Sequence, residues 1–169
     1  MTPQEFQAVY PHVMAWIEGV LNVHASQAQP VAAKGFARLP LYFSRQRLAS
    51  AKYVVVDRVP MPPLTALGLR QFAEFEHADN SGVTYLDTYF VKHNRADDEQ
   101  LHFHELIHVI QWSLLGPERF LGAYAAGLET FGYRNSPLEA MAFDAEASFA
   151  QATEAFDAEL LVAEKLRRI

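Results

Sequence analysis

His104, Glu105 and His108 form the pattern His-Glu-x-x-His within Leu101–Trp112, LHFHELIHVIQW. Residues four apart on a helix lie on one face, one turn above the other. Two imidazoles placed this way can both reach a single Zn²⁺ at about 2.0–2.1 Å. Glu105 follows His104 directly and points to one side of the pair, so it can reach a water on the metal without ligating it. Zinc lowers the pKa of such a water towards ~7, and a neighbouring carboxylate can take its proton. The chemistry expected of this pattern is therefore hydrolysis, with one Zn²⁺, His104 and His108 as ligands and Glu105 as the general base.

A catalytic zinc ordinarily takes three protein ligands and leaves the fourth position for water. No histidine follows His108, so the third ligand has to be a carboxylate on a later element. Glu139 is the choice: it stands in the first turn of a helix opened by Ser136-Pro137, among small and apolar neighbours. Asp144 and Glu146 are the fallbacks, and either can instead hold a histidine N–H. The competing explanation for Glu139 is structural, since Ser136-x-x-Glu139 also reads as a capping box. His102 lies roughly opposite His104 on the helix and reads as a packed or surface histidine. Gln111 shares the ligand face and reads equally as site wall or packing.

The elements that must position these residues follow from periodicity. Thr2 to Glu5 reads as a capping box with Pro3 at the first helical position. Apolar residues at Phe6, Val9, Tyr10, Val13, Ile17, Val20 and Leu21 predict a helix from 3 to about 25, kinked or broken at Pro11. Lys52–Val59 and Val83–Val91, rich in β-branched and aromatic residues, predict two strands. Asp97 and Asp98 begin the motif helix, which runs to about Leu115. Phe103, Leu106, Ile107, Ile110 and Leu114 are expected to anchor it on one side, leaving the histidine face free. Gly116-Pro117 stops it and starts a helix to about 131, and Ser136-Pro137 opens a last long helix to about Arg167. The fold class expected is α+β: a short sheet with a strand before the motif helix, helices packed on one side, and two further helices after it.

Composition bounds the function. The chain has 169 residues, so one domain spanning 1–169 is expected, large enough to bury a core without a metal staple. A formal net charge of −6 argues against nucleic acid, and the short basic clusters Arg45–Arg47 and Lys165–Arg168 read as solvated surface. There is no cysteine, which excludes disulfides, thiolate metal sites and a thiol nucleophile. No apolar run approaches a membrane span, and residues 1–25 lack the pattern of a signal peptide, which points to the cytoplasm.

The motif, followed some thirty residues later by a helix-borne glutamate, resembles the gluzincin metallopeptidases, the thermolysin-like class of zincins. The longer pattern GVTYLDTYFV, HELIHVIQW, LGPERFLGAY and GYRNSPLEA looks closer to small bacterial members of that class, over about residues 82 to 146. The resemblance implies a zincin-like domain acting on a peptide or protein substrate. His104, His108 and Glu139 match the ligands and Glu105 the base. Val83–Val91 matches the edge strand that pairs with an extended peptide. In the family an acidic residue four positions after the ligand glutamate orients a histidine; here that position is Phe143, so Asp144 or Glu146 must serve. A donor is also expected for the carbonyl oxygen that gains charge during attack. The family uses a tyrosine and a histidine; with no later histidine, Tyr133 is the catalytic candidate, with Arg134 beside it and Tyr124 behind. The alternative is a zinc-binding, latent or non-proteolytic protein, its cleft plugged by the loop Pro60 to Gly82 or by the C-terminal helix. A structural domain with a chance motif would turn Glu139 away from the histidines.

Overall fold

A computed structural model of the chain describes residues 1–167; the basic cluster expected at the C-terminus extends to Arg168, outside the described residues. The architecture is mixed α and β, with four strands and seven α-helices among the described residues. Helix α1 (Pro3–His24) opens with the expected capping box: the Thr2 side chain accepts from the Glu5 amide, and the Glu5 carboxylate accepts from the Thr2 amide. It continues through Pro11 without the break that is one of the two outcomes expected there. Pro11 and Gln7, whose carbonyl loses a donor to the proline, are both exposed, so water can take the missing bond.

Strands β1 (Gln29–Pro30), β2 (Lys52–Val56), β3 (Gly82–Tyr85) and β4 (Thr88–Lys92) form one sheet in the order β1-β2-β4-β3. β2 runs parallel to β4 with Val54 opposite Phe90, and β3 returns antiparallel with Thr84 opposite Tyr89. The single strand expected over Val83–Val91 is thus a hairpin, turned at Leu86 with a left-handed φ of 58°. Tight hairpin turns are ordinarily marked by glycine or asparagine; a leucine there hides the turn.

Side chains alternate across the sheet and bury both faces. Tyr53, Tyr89 and Val91 join a core with the motif helix, whereas Val54 and Phe90 join another with Val13 and Ile17 of α1. The helices are therefore not confined to one side as expected: α1 covers the face opposite the motif helix. Between β2 and β3 the chain carries the short helix α3 (Ala73–His77), preceded by the buried Leu64, Leu69 and Phe72. The six-residue helix α2 (Arg45–Ser50) precedes β2.

The motif helix is α4 (Glu99–Leu115), capped by Asp98, whose carboxylate accepts from the amides of Gln100 and Leu101. Every residue from Leu101 to Trp112 is buried, so α4 is a central element and not a half-exposed one. Leu114, counted in the apolar anchor, is 49% exposed. Helix α5 (Pro117–Phe131) follows Gly116, and α6 (Pro137–Gln151) lies alongside α4. The long last helix divides: α7 (Ala158–Leu166) begins afresh at Asp157, which caps Leu160. The break is tertiary in origin, because the Ala158 amide donates to Tyr42 O at 3.0 Å and the Phe156 ring packs on Tyr42. Among the described residues no helix is long and apolar enough to cross a membrane.

Candidate metal centre

Three side chains converge between α4 and α6. His104 Nε2 and His108 Nε2 are 3.1 Å apart. Glu139 Oε2 lies 3.4 Å from His104 Nε2, and Glu139 Oε1 lies 3.3 Å from His108 Nε2. Among the described residues these three form a buried group that can hold a metal ion. Helical spacing puts the histidines one turn apart on α4, and α6 brings Glu139 across from them.

The ring tautomers follow from the outer contacts. His104 Nδ1 lies 3.0 Å from Glu146 Oε2, and a carboxylate only accepts, so Nδ1–H is the donor. Gln111 Nε2 donates to Leu138 O at 3.0 Å, which turns its Oε1 towards His108 Nδ1 at 2.8 Å. His108 Nδ1–H is therefore the donor to Gln111. Both Nε2 atoms are left with lone pairs aimed at each other and at a carboxylate. Such an arrangement needs a positive charge at its centre. Glu139 Oε2 makes the same demand, being buried without a hydrogen-bond partner among the described residues. The donor set, two imidazoles and one carboxylate, fits a divalent metal ion.

The protonation balance records that demand. Burial pushes the His104 imidazolium down, but the carboxylates of Glu139 and Glu146 outweigh it and hold its pKa up to about 10. Burial works against the Glu139 charge as well, yet His108 and His104 keep its carboxyl well below the usual range.

Glu105 sits beside this group on the sheet side. The Thr84 hydroxyl donates to Glu105 Oε2 at 2.6 Å. The carboxylate occupies the space above Gly82, where a Cβ would stand 2.8 Å from Glu105 Cδ. Burial raises the Glu105 pKa against the pull of His104 and His108. Thr84 and Gly82 carried no signal in the sequence beyond strand propensity; the hairpin register alone brings them to Glu105.

Ser136 does not use Glu139 in a capping box. Its hydroxyl donates to Tyr133 O at 3.0 Å, and the Glu139 carboxylate turns inward to the histidines. Glu146 takes the histidine-orienting position, while Asp144 is directed to solvent near Lys165. Phe143 instead packs its ring on His104, with centroids 4.7 Å apart. Tyr124 donates to Glu139 Oε1 at 2.5 Å, closer to the centre than its rank in the sequence implied. Tyr133 lines the same cavity as Glu105, His108 and Glu139, and burial and the Glu139 charge raise its pKa. Arg134 lies over the Phe143 ring. His102 is packed away from the site: Tyr89 OH lies 2.7 Å from its Nδ1, and its Nε2 donates to Ala96 O at 3.0 Å.

The cavity at this centre measures about 110 Å³ and is walled mainly by apolar side chains of α1, α5 and the segment before β3. Phe75 of that segment packs on Tyr124 and Tyr133, with ring centroids 5.7 and 6.0 Å away. His104, Glu105, His108 and Glu139 are each 5% exposed or less.

Comparison with known proteins returns no significant match: no family model fits the chain, no curated protein resembles it in sequence, and no solved structure resembles it in fold.

Proposed function

We propose that the chain is a zinc-dependent peptide-bond hydrolase of the gluzincin type. The observation that carries this reading is the convergence of three side chains: His104 Nε2 and His108 Nε2 stand 3.1 Å apart, with Glu139 Oε2 3.4 Å from the first and Glu139 Oε1 3.3 Å from the second. Two imidazole nitrogens and one carboxylate gathered in one buried group are a donor set that would hold zinc and leave a position for water. Bound there, zinc supplies a Lewis acid and lowers the pKa of a water to ~7.

The chain's own residues do the rest. Glu146 and Gln111 fix the ring tautomers, so that His104 and His108 present their Nε2 lone pairs. Thr84 holds Glu105 Oε2, which leaves Oε1 to take a proton from the attacking water. Glu105 then passes that proton to the leaving amine as the carbon–nitrogen bond breaks. Tyr133 is 38% exposed but lines the cavity, where desolvation of its hydroxyl and the nearby carboxylates keep it a neutral phenol, and it is the donor proposed for the carbonyl oxygen. The substrate is a peptide or protein, and the working compartment is the cytoplasm.

One observation favours a second reading, a latent or non-proteolytic zinc protein. The four central residues are 5% exposed or less, beneath Phe75 and its segment. A chance motif in a structural domain is disfavoured by Glu139, which faces the histidines. The test is zinc content per chain together with hydrolysis of a diverse peptide library, for the wild type and Glu105→Gln. About one zinc in both, with cleavage in the wild type only, is the expected result. Zinc without cleavage in the wild type selects the latent reading, and no zinc in either sinks both.

A further inference from the structure

The edge strand β3 is closed at one point, and this limits what can pair with it. Lys92 N donates to Ser81 O at 2.9 Å, and the register sets Gly82 opposite Val91 and Thr84 opposite Tyr89. In an antiparallel ladder alternate residues exchange hydrogen bonds with the neighbour. Ser81, Val83 and Tyr85 therefore bond to β4, while Gly82 and Thr84 turn their N–H and C=O groups to the open side of the sheet. These are also the residues against which Glu105 rests. An incoming backbone that uses this edge passes directly by the base.

On that open side the Thr84 carbonyl is taken. The indole N–H of Trp112, one turn after His108 on α4, donates to Thr84 O at 3.1 Å. Trp112 is buried, and its ring is stacked on Phe120 with centroids 4.0 Å apart, so the donor is fixed from behind. The N–H and C=O of Gly82 and the N–H of Thr84 remain to pair with a ligand. The same Trp112 walls the apolar cavity, together with Val13, Phe120, Leu121 and Leu128. Where the ladder ends, an apolar chamber begins.

We infer that Trp112 determines specificity by ending backbone pairing at Thr84, so that the site takes peptides presenting there an apolar group without a backbone N–H: a proline or an N-substituted residue. This rests on the reading of the ligand as a peptide. The inference holds for either strand direction, because the N–H that would face Thr84 O finds no acceptor. A buried N–H without a partner weakens binding.

The test measures binding of an acetylated leucine–alanine pentapeptide amide and its singly N-methylated analogues to zinc-loaded Glu105→Gln protein. One position is expected to tolerate methylation. In the Glu105→Gln, Trp112→Phe protein, which lacks the indole donor, the same methyl group is expected to weaken binding about 3- to 10-fold. The exchange rate of the Trp112 indole proton in ¹⁵N-labelled Glu105→Gln protein, distinguished from that of Trp16, is expected to stay unchanged on peptide addition. An indole proton released by peptide overturns the proposal, as does an equal methylation profile in the two proteins. Cleavage by the wild type is followed alongside. Binding with the expected profile but no cleavage sinks the peptidase reading and leaves this one standing. Cleavage with an indifferent profile does the reverse. Failure of every peptide to bind overturns the edge pairing itself.

Discussion

His102 and His104 stand two residues apart on the same buried helix, and their surroundings are opposite in kind. The sheet side of α4 gives His102 two neutral partners, the Tyr89 hydroxyl and the Ala96 carbonyl. Burial then dominates and lowers its pKa to about 4. The α6 side gives His104 two carboxylates, Glu139 and Glu146, and its pKa is held up to about 10 despite burial. Similar burial therefore yields a neutral packing residue on one side and a cation-demanding centre on the other. The charge of the partners decides the role, and the partners are chosen by which element each helix face meets.

The sharpest break of this comparison is to remove each ring in turn. His104→Ala is expected to lose essentially all bound zinc, while His102→Gln keeps about one zinc per chain; metal analysis after gel filtration reads both. Equal metal loss in the two would erase the distinction.

The next effect is on stability against pH. His102 has a folded pKa of about 4, below its unfolded value near 6.5. The unfolded chain therefore binds a proton first as pH falls. His102's share of stability is full above pH 6.5 and is lost between 6.5 and 4, by about 3 kcal/mol. Denaturant unfolding of chelator-treated protein should show that loss, and His102→Gln should flatten the curve by the same amount. A parallel curve in the variant would assign the pH dependence to other groups.

On the α6 side, Glu146→Gln keeps a hydrogen-bond acceptor for His104 but removes the charge, and Gln111→Ala frees the His108 ring. Each is expected to weaken zinc affinity about 10–100-fold, measured by competition with a chelating dye. Affinity unchanged in both would mean that the rings are held by packing alone. The smallest effect belongs to the sheet side. Tyr89→Phe leaves His102 Nδ1 without its 2.7 Å partner and should cost about 1–2 kcal/mol by thermal unfolding, with zinc content intact.

Much of the site was legible before any fold was known. His104, Glu105 and His108 are four-residue periodicity on one helix, a purely local pattern. Glu139 was reachable because no histidine remained downstream, which forced a carboxylate. Glu146 stood only among the fallbacks, since its role depends on the seven-residue spacing from Glu139 that keeps both on one face of α6. Tyr124 was ranked behind Tyr133, although its hydroxyl is the one at 2.5 Å from Glu139. Nothing local distinguishes a tyrosine within α5 from one in the turn that follows it when the packing of α5 against α6 is unknown.

The fold was legible in its helix boundaries and less so in its breaks. Thr2, Asp98, Gly116 and Pro137 mark helix ends by their own chemistry, capping, φ preference or a missing donor. The turn at Leu86 and the break before Ala158 bear no such mark. The first is paid for by strand pairing with β4, and the second follows from contacts to Tyr42, more than a hundred residues away in the chain.

The sequence by itself thus determined the two histidines of the candidate metal group, the glutamate proposed as base, the carboxylate character of the third candidate ligand and the helices that carry them, because each rests on the spacing or chemistry of neighbouring residues. Only the tertiary structure decided the covering of both sheet faces, the tautomers of the two rings, the Thr84–Glu105 contact and the closed edge at Trp112. Those depend on pairs of residues distant in the chain, whose meeting is set by how whole elements pack.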